Sequence, residues 1–229
     1  MKKYVPHNPT EKSFLNDVRD HQLVLFQDQG VYRHLRFSRP ETSNMYFSLL
    51  TWPGHLCICG DMGTFVFSRI PDMFEFFRSG IRDEKLEVNL GYWSEKLDAI
   101  DKGGAEKFCP DKFKHRVYEF WRESEEYLIA NAKQRKEIWQ DIERCVLSTA
   151  DDGEHFAYQA AAEFKREVQP KMGEASEFQL YHWLCDGVSF KEYTYHFVWC
   201  CYAIVYGIKR YDTYRRNLEG RGGETCATE

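Results

Sequence analysis

The chain has 229 residues, enough for one large core or two small ones, and its 43% hydrophobic content, rich in Phe, Tyr and Trp, excludes general disorder. A net charge of −5 argues against non-specific nucleic-acid binding, which is usually carried by a basic chain. Eight cysteines without a secretory pattern read as reduced thiols in a cytoplasmic setting.

Met1 to Thr10 carries two lysines with no apolar run behind them and does not read as a signal peptide. Pro9–Val18 predicts a short helix with Phe14, Leu15 and Val18 on one side. Strand candidates follow at Gln22–Gln27, Val31–Phe37, Met45–Leu50, His55–Cys59 and Thr64–Ser68. Turn chemistry joins them. Asp28-Gln29-Gly30 is a hairpin loop, Trp52-Pro53-Gly54 suits a reversal with positive φ at Gly54, and Gly60-Asp61-Met62-Gly63 supplies another. Loops this short imply an antiparallel meander, because parallel strands need long crossovers.

Pro71 is placed to open a helix carrying Met73, Phe74, Phe76 and Phe77, which would cap one sheet face. From about Gly91 the pattern turns helical. Phe113, Val117, Phe120, Trp121, Ser124 and Leu128 form one stripe, and Ile138, Ile142, Cys145 and Val146 a second. Phe156, Ala160, Ala161, Phe164 and Val168 mark a third, stopped by Pro170. A last helix is expected from near Glu192 to Arg216. Its apolar stretch Phe197–Ile208 is too short to cross a bilayer, which takes roughly 20 residues, so it belongs in the centre of a bundle. The expected fold is α+β: a five-stranded antiparallel sheet within residues 1–90, a helical part within 91–216, and a frayed tail over 217–229, the two parts packed as one unit.

The run from Thr51 to Phe77, TWPGHLCICGDMGTFVFSRIPDMFEFF, together with ADDGEH (Ala150–His155) and FVWCCYAIVYGI (Phe197–Ile208), resembles a family of small accessory proteins encoded by tailed bacteriophages and prophages. The resemblance implies a product that acts in the host cytoplasm by occupying a host protein, in the defence or nucleic-acid-processing machinery, and inhibiting or modulating it. It brings no catalytic residues with it, and aromatic residues of the family stand where His55 does.

Several clusters invite chemistry. His55, Cys57 and Cys59 share one strand face, but alternate residues lie about 6.5 Å apart along a strand, too far for tetrahedral zinc. They read as small buried side chains. His182/Cys185 and His196/Cys200 have helical ligand spacing, yet the second pair sits among aromatics and reads as core. Asp61 reads as a turn residue, and Asp152 as the cap of a helix beginning near Glu154. Lys209, Arg210, Arg215 and Arg216, interleaved with Tyr211 and Tyr214, suit a helix C-terminus. No metal or cofactor site is assigned.

Arg33, Arg36 and Arg39, with Trp52, are the candidate binding residues, because Arg and Trp concentrate interface energy. The expected partner is a host protein with an acidic surface, met through the sheet side, with neither direct nucleic-acid binding nor a membrane involved. The alternative is an enzyme or sequestering protein for a nucleotide or nucleotide-derived signal, which would need a deep pocket of converging polar groups.

Overall fold

A computed structural model describes residues 4–82, 85–181 and 188–222. The fold is α+β, and the chain forms two compact units, His7–Glu106 with Tyr193–Glu229, and Met1–Pro6 with Lys107–Glu192. The boundary thus falls elsewhere than residue 90, because the last helix joins the sheet.

In the first unit, helix α1 (Glu11–Asp17) starts at a capping box in which Thr10 and Ser13 satisfy each other's amides. Strands β1 (Gln22–Gln29), β2 (Tyr32–Ser38), β3 (Phe47–Trp52), β4 (His55–Gly60) and β5 (Gly63–Ser68) pair in sequence order, all antiparallel. The meander is the one expected, with a sixth strand added beyond β5. Gly54 has φ +83°, as its turn requires. Asp61 accepts the Met45 amide at 2.8 Å and so ties its turn to the entry of β3.

Helix α2 (Met73–Arg78) is capped by Asp72 rather than opened by Pro71. A small hairpin, β6 (Ile81–Arg82) with β7 (Lys85–Leu86), and helix α3 (Leu90–Ser94) lead to β8 (Leu97–Ile100), which pairs with β5. Helix α8 (Tyr195–Gly222) closes the unit.

Alternation decides which sheet face is buried. Leu35, Phe37, Phe47, Leu49, Leu56, Ile58, Phe65 and Phe67 are all essentially inaccessible and form one face. Phe197, Trp199, Ala203, Ile204, Val205 and Ile208 of α8 cluster with them. The apolar middle of the last helix therefore lies against a sheet, not inside a bundle as expected. A helix apolar all round needs only complete burial, which a sheet with flanking helices supplies. Gly207 allows the approach, since a Cβ there would stand 2.5 Å from Leu49 Cδ1. Residues 217–222, expected to fray, continue the helix; 223–229 lie outside the described residues.

The second unit contains β9 (Glu106–Phe108) and β12 (Lys191–Tyr193) at its boundaries, helices α4 (Pro110–Glu123), α5 (Glu125–Ile129), α6 (Ala132–Cys145) and α7 (Glu154–Glu163), and the hairpin of β10 (Lys165–Val168) with β11 (Ser176–Gln179). Phe113, Val117, Trp121, Ile138, Ile142, Ala157, Ala161 and Phe178 share its core. The first expected stripe breaks at Ser124, which turns extended and caps α5, leaving Leu128 69% exposed. The third ends at Phe164, because 165–168 turn into strand. Gly153, with φ +128°, stands at the N-cap expected for Asp152.

Candidate functional site

The sheet's second face is the candidate site. On β2, Arg33, Leu35 and Phe37 turn inward, so Tyr32, His34 and Arg36 turn outward. Register carries that parity across the sheet. Val24, Arg36, Ser48, Cys59 and Thr64 form one row, and His34, Leu50, Cys57, Val66 and Ala99 the next. Trp52 pairs with His55 at the β3–β4 turn, their rings stacked at 5.1 Å. Phe26 sits at a bulge in edge strand β1, and its ring lies 4.7 Å from that of His34.

The sheet's outward row is thus rich in large side chains: Val24 is 45% exposed, Phe26 60%, Tyr32 49% and Trp52 37%. An open face of an antiparallel sheet is ordinarily polar, and large apolar patches on a protein surface mark binding sites. Arg36 stands among them with its guanidinium 4.6 Å over the Tyr46 ring, a cation–π contact that fixes its direction.

Of the four residues singled out by sequence, Arg36 and Trp52 share this face. Arg33 does not. It turns to the core face, is 9% exposed, and makes a two-pronged ion pair with Asp72, both contacts at 2.8 Å. Phe74 lies under its guanidinium at 4.6 Å. Expecting Arg33 at an interface is corrected: its parity with Leu35 and Phe37 makes it part of the core. Arg39 lies beyond the end of β2, 3.7 Å from Asp20. Sequence reasoning missed Val24, Phe26 and Tyr32, although QLVLFQDQ carried the signal in a run of apolar residues on an edge strand.

A second concave feature lies on the other side of the sheet. It is a cleft of about 520 Å³ lined by Arg33, Arg78, Arg215 and Arg216, but equally by Asp72, Glu75, Asp212 and Glu219. The charges are spent on one another. Arg78 pairs with Asp212 at 2.8 Å and with Glu75, while Arg215 reaches Asp28 at 3.0 Å. Tyr211 donates to the same Asp28 at 2.8 Å. An anionic nucleotide would have to displace carboxylates from Arg33, Arg78 and Arg215. The basic residues of α8 are also not at a helix end, because the helix runs six residues past Arg216 to Gly222.

Cys57 and Cys59 are half-exposed on the open face, not buried as expected. His196 is exposed while Cys200 is buried with its sulfur 3.6 Å from the Met62 carbonyl, so that helical pair does not converge; His182 and Cys185 lie outside the described residues. Among the described residues, no group of three or more His, Cys, Asp or Glu is placed to hold a metal ion. Within the same residues, no helix is long and apolar enough to cross a membrane.

The fold and this surface define a sheet-based α+β protein with exposed apolar and aromatic side chains on its outer sheet face. No family model, curated protein or solved structure matches the chain.

Proposed function

We propose that this chain is a non-catalytic binding protein that takes a partner protein on the open face of its six-stranded sheet. The observation that carries this reading is the placement of Val24, Phe26, Tyr32 and Trp52, all more than a third exposed, on the one sheet face that also carries Arg36. Exposed rings release free energy when covered, at about 25 cal/mol for each Å² removed from water. Arg36, already held over Tyr46, loses little freedom on engaging a carboxylate. The partner chemistry that fits is an apolar or aromatic centre flanked by an acidic group. The resemblance to phage accessory proteins supports a host protein of the defence or nucleic-acid-processing machinery as that partner, inhibited or modulated by the contact.

The test uses a Phe26→Ser, Arg36→Ala, Trp52→Ser variant whose melting temperature matches the wild type. A Lys133→Ala, Lys136→Ala variant on α6 serves as control. Pull-downs from host cells, quantified by mass spectrometry, should show a host protein captured by wild type and by the α6 control but at least about tenfold less by the face variant, since interface anchors commonly carry 2 kcal/mol or more each. Equal capture by the face variant overturns the proposal.

A further inference from the structure

The edge of the sheet beside α8 is left open. β1 ends the strand order, so the amides and carbonyls on its outer side meet no strand among the described residues. Leu23 and Leu25 turn to the core face, yet both are only half-buried, whereas Phe37 and Leu35 opposite them on β2 are inaccessible. Elsewhere in the sheet a neighbouring strand completes that cover. Natural edges are usually blunted by charge, proline or distortion. Gln22–Leu25 carries neither charge nor proline, and the bulge comes only after it, at Phe26.

Alongside this edge runs a cleft of about 460 Å³ between strand and helix. His21, Gln22 and Leu23 form one wall; Arg210, Thr213, Tyr214 and Asn217, successive positions on one face of α8, form the other. The lining holds no carboxylate. Arg210 stands 6.0 Å from the Tyr206 ring and has no carboxylate partner among the described residues, while Arg33, Arg78 and Arg215 are each tied to an aspartate. His21 brings no second cation, since burial lowers its pKa, and its Nε2 donates to the Met45 carbonyl at 2.9 Å. The groove is therefore a basic, part-apolar trough in an acidic chain, with the Tyr214 ring 39% exposed along it.

We propose that this groove takes an extended acidic segment of a partner protein, which adds as a seventh strand beside Gln22–Leu25 and sets a carboxylate at Arg210. Strand addition satisfies the open backbone groups of the edge, and pockets for alternate side chains supply selectivity. An aliphatic side chain of the segment covers Leu23 and Leu25 on the α8 side, and its neighbours in sequence extend the open face beside Val24. The bulge at Phe26 breaks the edge and confines the pairing to Gln22–Leu25. A second copy of this chain is the poorer occupant, because the same stretch of its own β1 brings no carboxylate to Arg210.

The experiment selects displayed random decapeptides on the full-length protein and measures the enriched ones, as synthetic peptides, by fluorescence anisotropy. Enriched sequences should alternate β-branched with polar residues and carry Asp or Glu at a fixed place. Arg210 is exposed, so its replacement tests binding rather than folding. Arg210→Glu should weaken the best peptide at least about tenfold, and Arg210→Lys should keep most of the affinity. N-methylation of one alternate set of peptide amides should weaken binding about tenfold or more, and methylation of the other set far less, because only one set faces the edge. The Phe26→Ser, Arg36→Ala, Trp52→Ser variant should still bind the peptide, so failure here and failure of the open-face proposal are separate results. The inference is overturned if no peptide is enriched, if binding ignores Arg210→Glu, if both methylated sets bind alike, or if the open-face variant alone abolishes binding. A wild-type dimer in sedimentation, with the Gln22–Leu25 amides protected from hydrogen exchange only in the dimer, would give the edge to a second copy and overturn it equally.

Discussion

At the scale of the residue, the pair Arg33 and Asp72 shows how one side chain serves several ends. Asp72 caps α2 through the Phe74 amide at 2.9 Å while receiving both prongs of Arg33. Burial alone would raise its pKa, but the hydrogen bonds from Arg33 and Phe74, with the charges of Arg33 and Arg78, hold it below the usual aspartate value. Removing the carboxylate leaves a guanidinium buried without its counter-charge. Asp72→Asn, which can still cap, is expected to cost about 3 kcal/mol, and Asp72→Ala about 1 kcal/mol more for the lost cap. Urea melts of the two variants would measure both, and a loss under 1 kcal/mol for Asp72→Asn would sink the argument. Because the folded pKa is depressed, the pair's contribution is complete above the unfolded aspartate value of about 3.9 and is lost as pH falls through the lower folded value. The wild type should therefore lose more stability than Asp72→Asn in that acid range, and parallel curves would contradict it.

At the scale of the element, the fit of α8 to the sheet rests on a missing side chain. Gly in a helix interior usually costs up to about 1 kcal/mol relative to Ala. Here the absence of a Cβ lets the helix approach Leu49 and Phe37, both inaccessible. Trp199 secures the same helix with an indole hydrogen bond to Asp17 at 3.1 Å. Gly207→Val would drive methyl groups into Leu49 and lift the helix from the sheet, at an expected cost of about 3 kcal/mol. A thermal melt should show it, and an unchanged melting temperature would mean the contact is looser than the structure has it. The same substitution at Gly220, where a Cβ meets nothing within 4 Å, should leave α8 on the sheet and cost far less.

At the scale of the whole molecule, residues 107–192 are an insertion into the sheet unit. Its ends return to nearly the same place: Thr194 donates its amide to the Ala105 carbonyl at 2.8 Å and its hydroxyl to the Gly104 carbonyl at 3.0 Å. Each unit has its own cluster of buried side chains, which is the physical requirement for folding alone. Replacing 107–192 by a short Gly/Ser linker should thus leave a folded sheet unit with a cooperative melt and dispersed amide resonances. A molten or aggregated product would show that the insertion is needed for the sheet to fold. If the open sheet face is the docking surface, this shortened protein should also keep its partner.

Much of the sheet was legible in the sequence, because period-two alternation and turn residues are local signals. QLVLFQDQ, YRHLRFS, FSLLTW, HLCICG and GTFVFS lie close to where those signals put them. The helix ends and the break at Ser124 were not legible, since a hydroxyl that caps the next helix looks the same in sequence as one on a helix surface. The site was half legible. Trp52 and Arg36 fell on the open face, but charge alone cannot say which side of a sheet a residue takes. Arg33 could go inward only because Asp72, far along the chain, arrives opposite it. Sequence by itself determined the class of fold and the strands in their order. Tertiary structure decided that the last helix covers the sheet rather than a bundle, and so which face stayed open. That choice depends on long-range burial, in which α8 had to find a partner surface large enough to hide its apolar girth, and no local pattern records it.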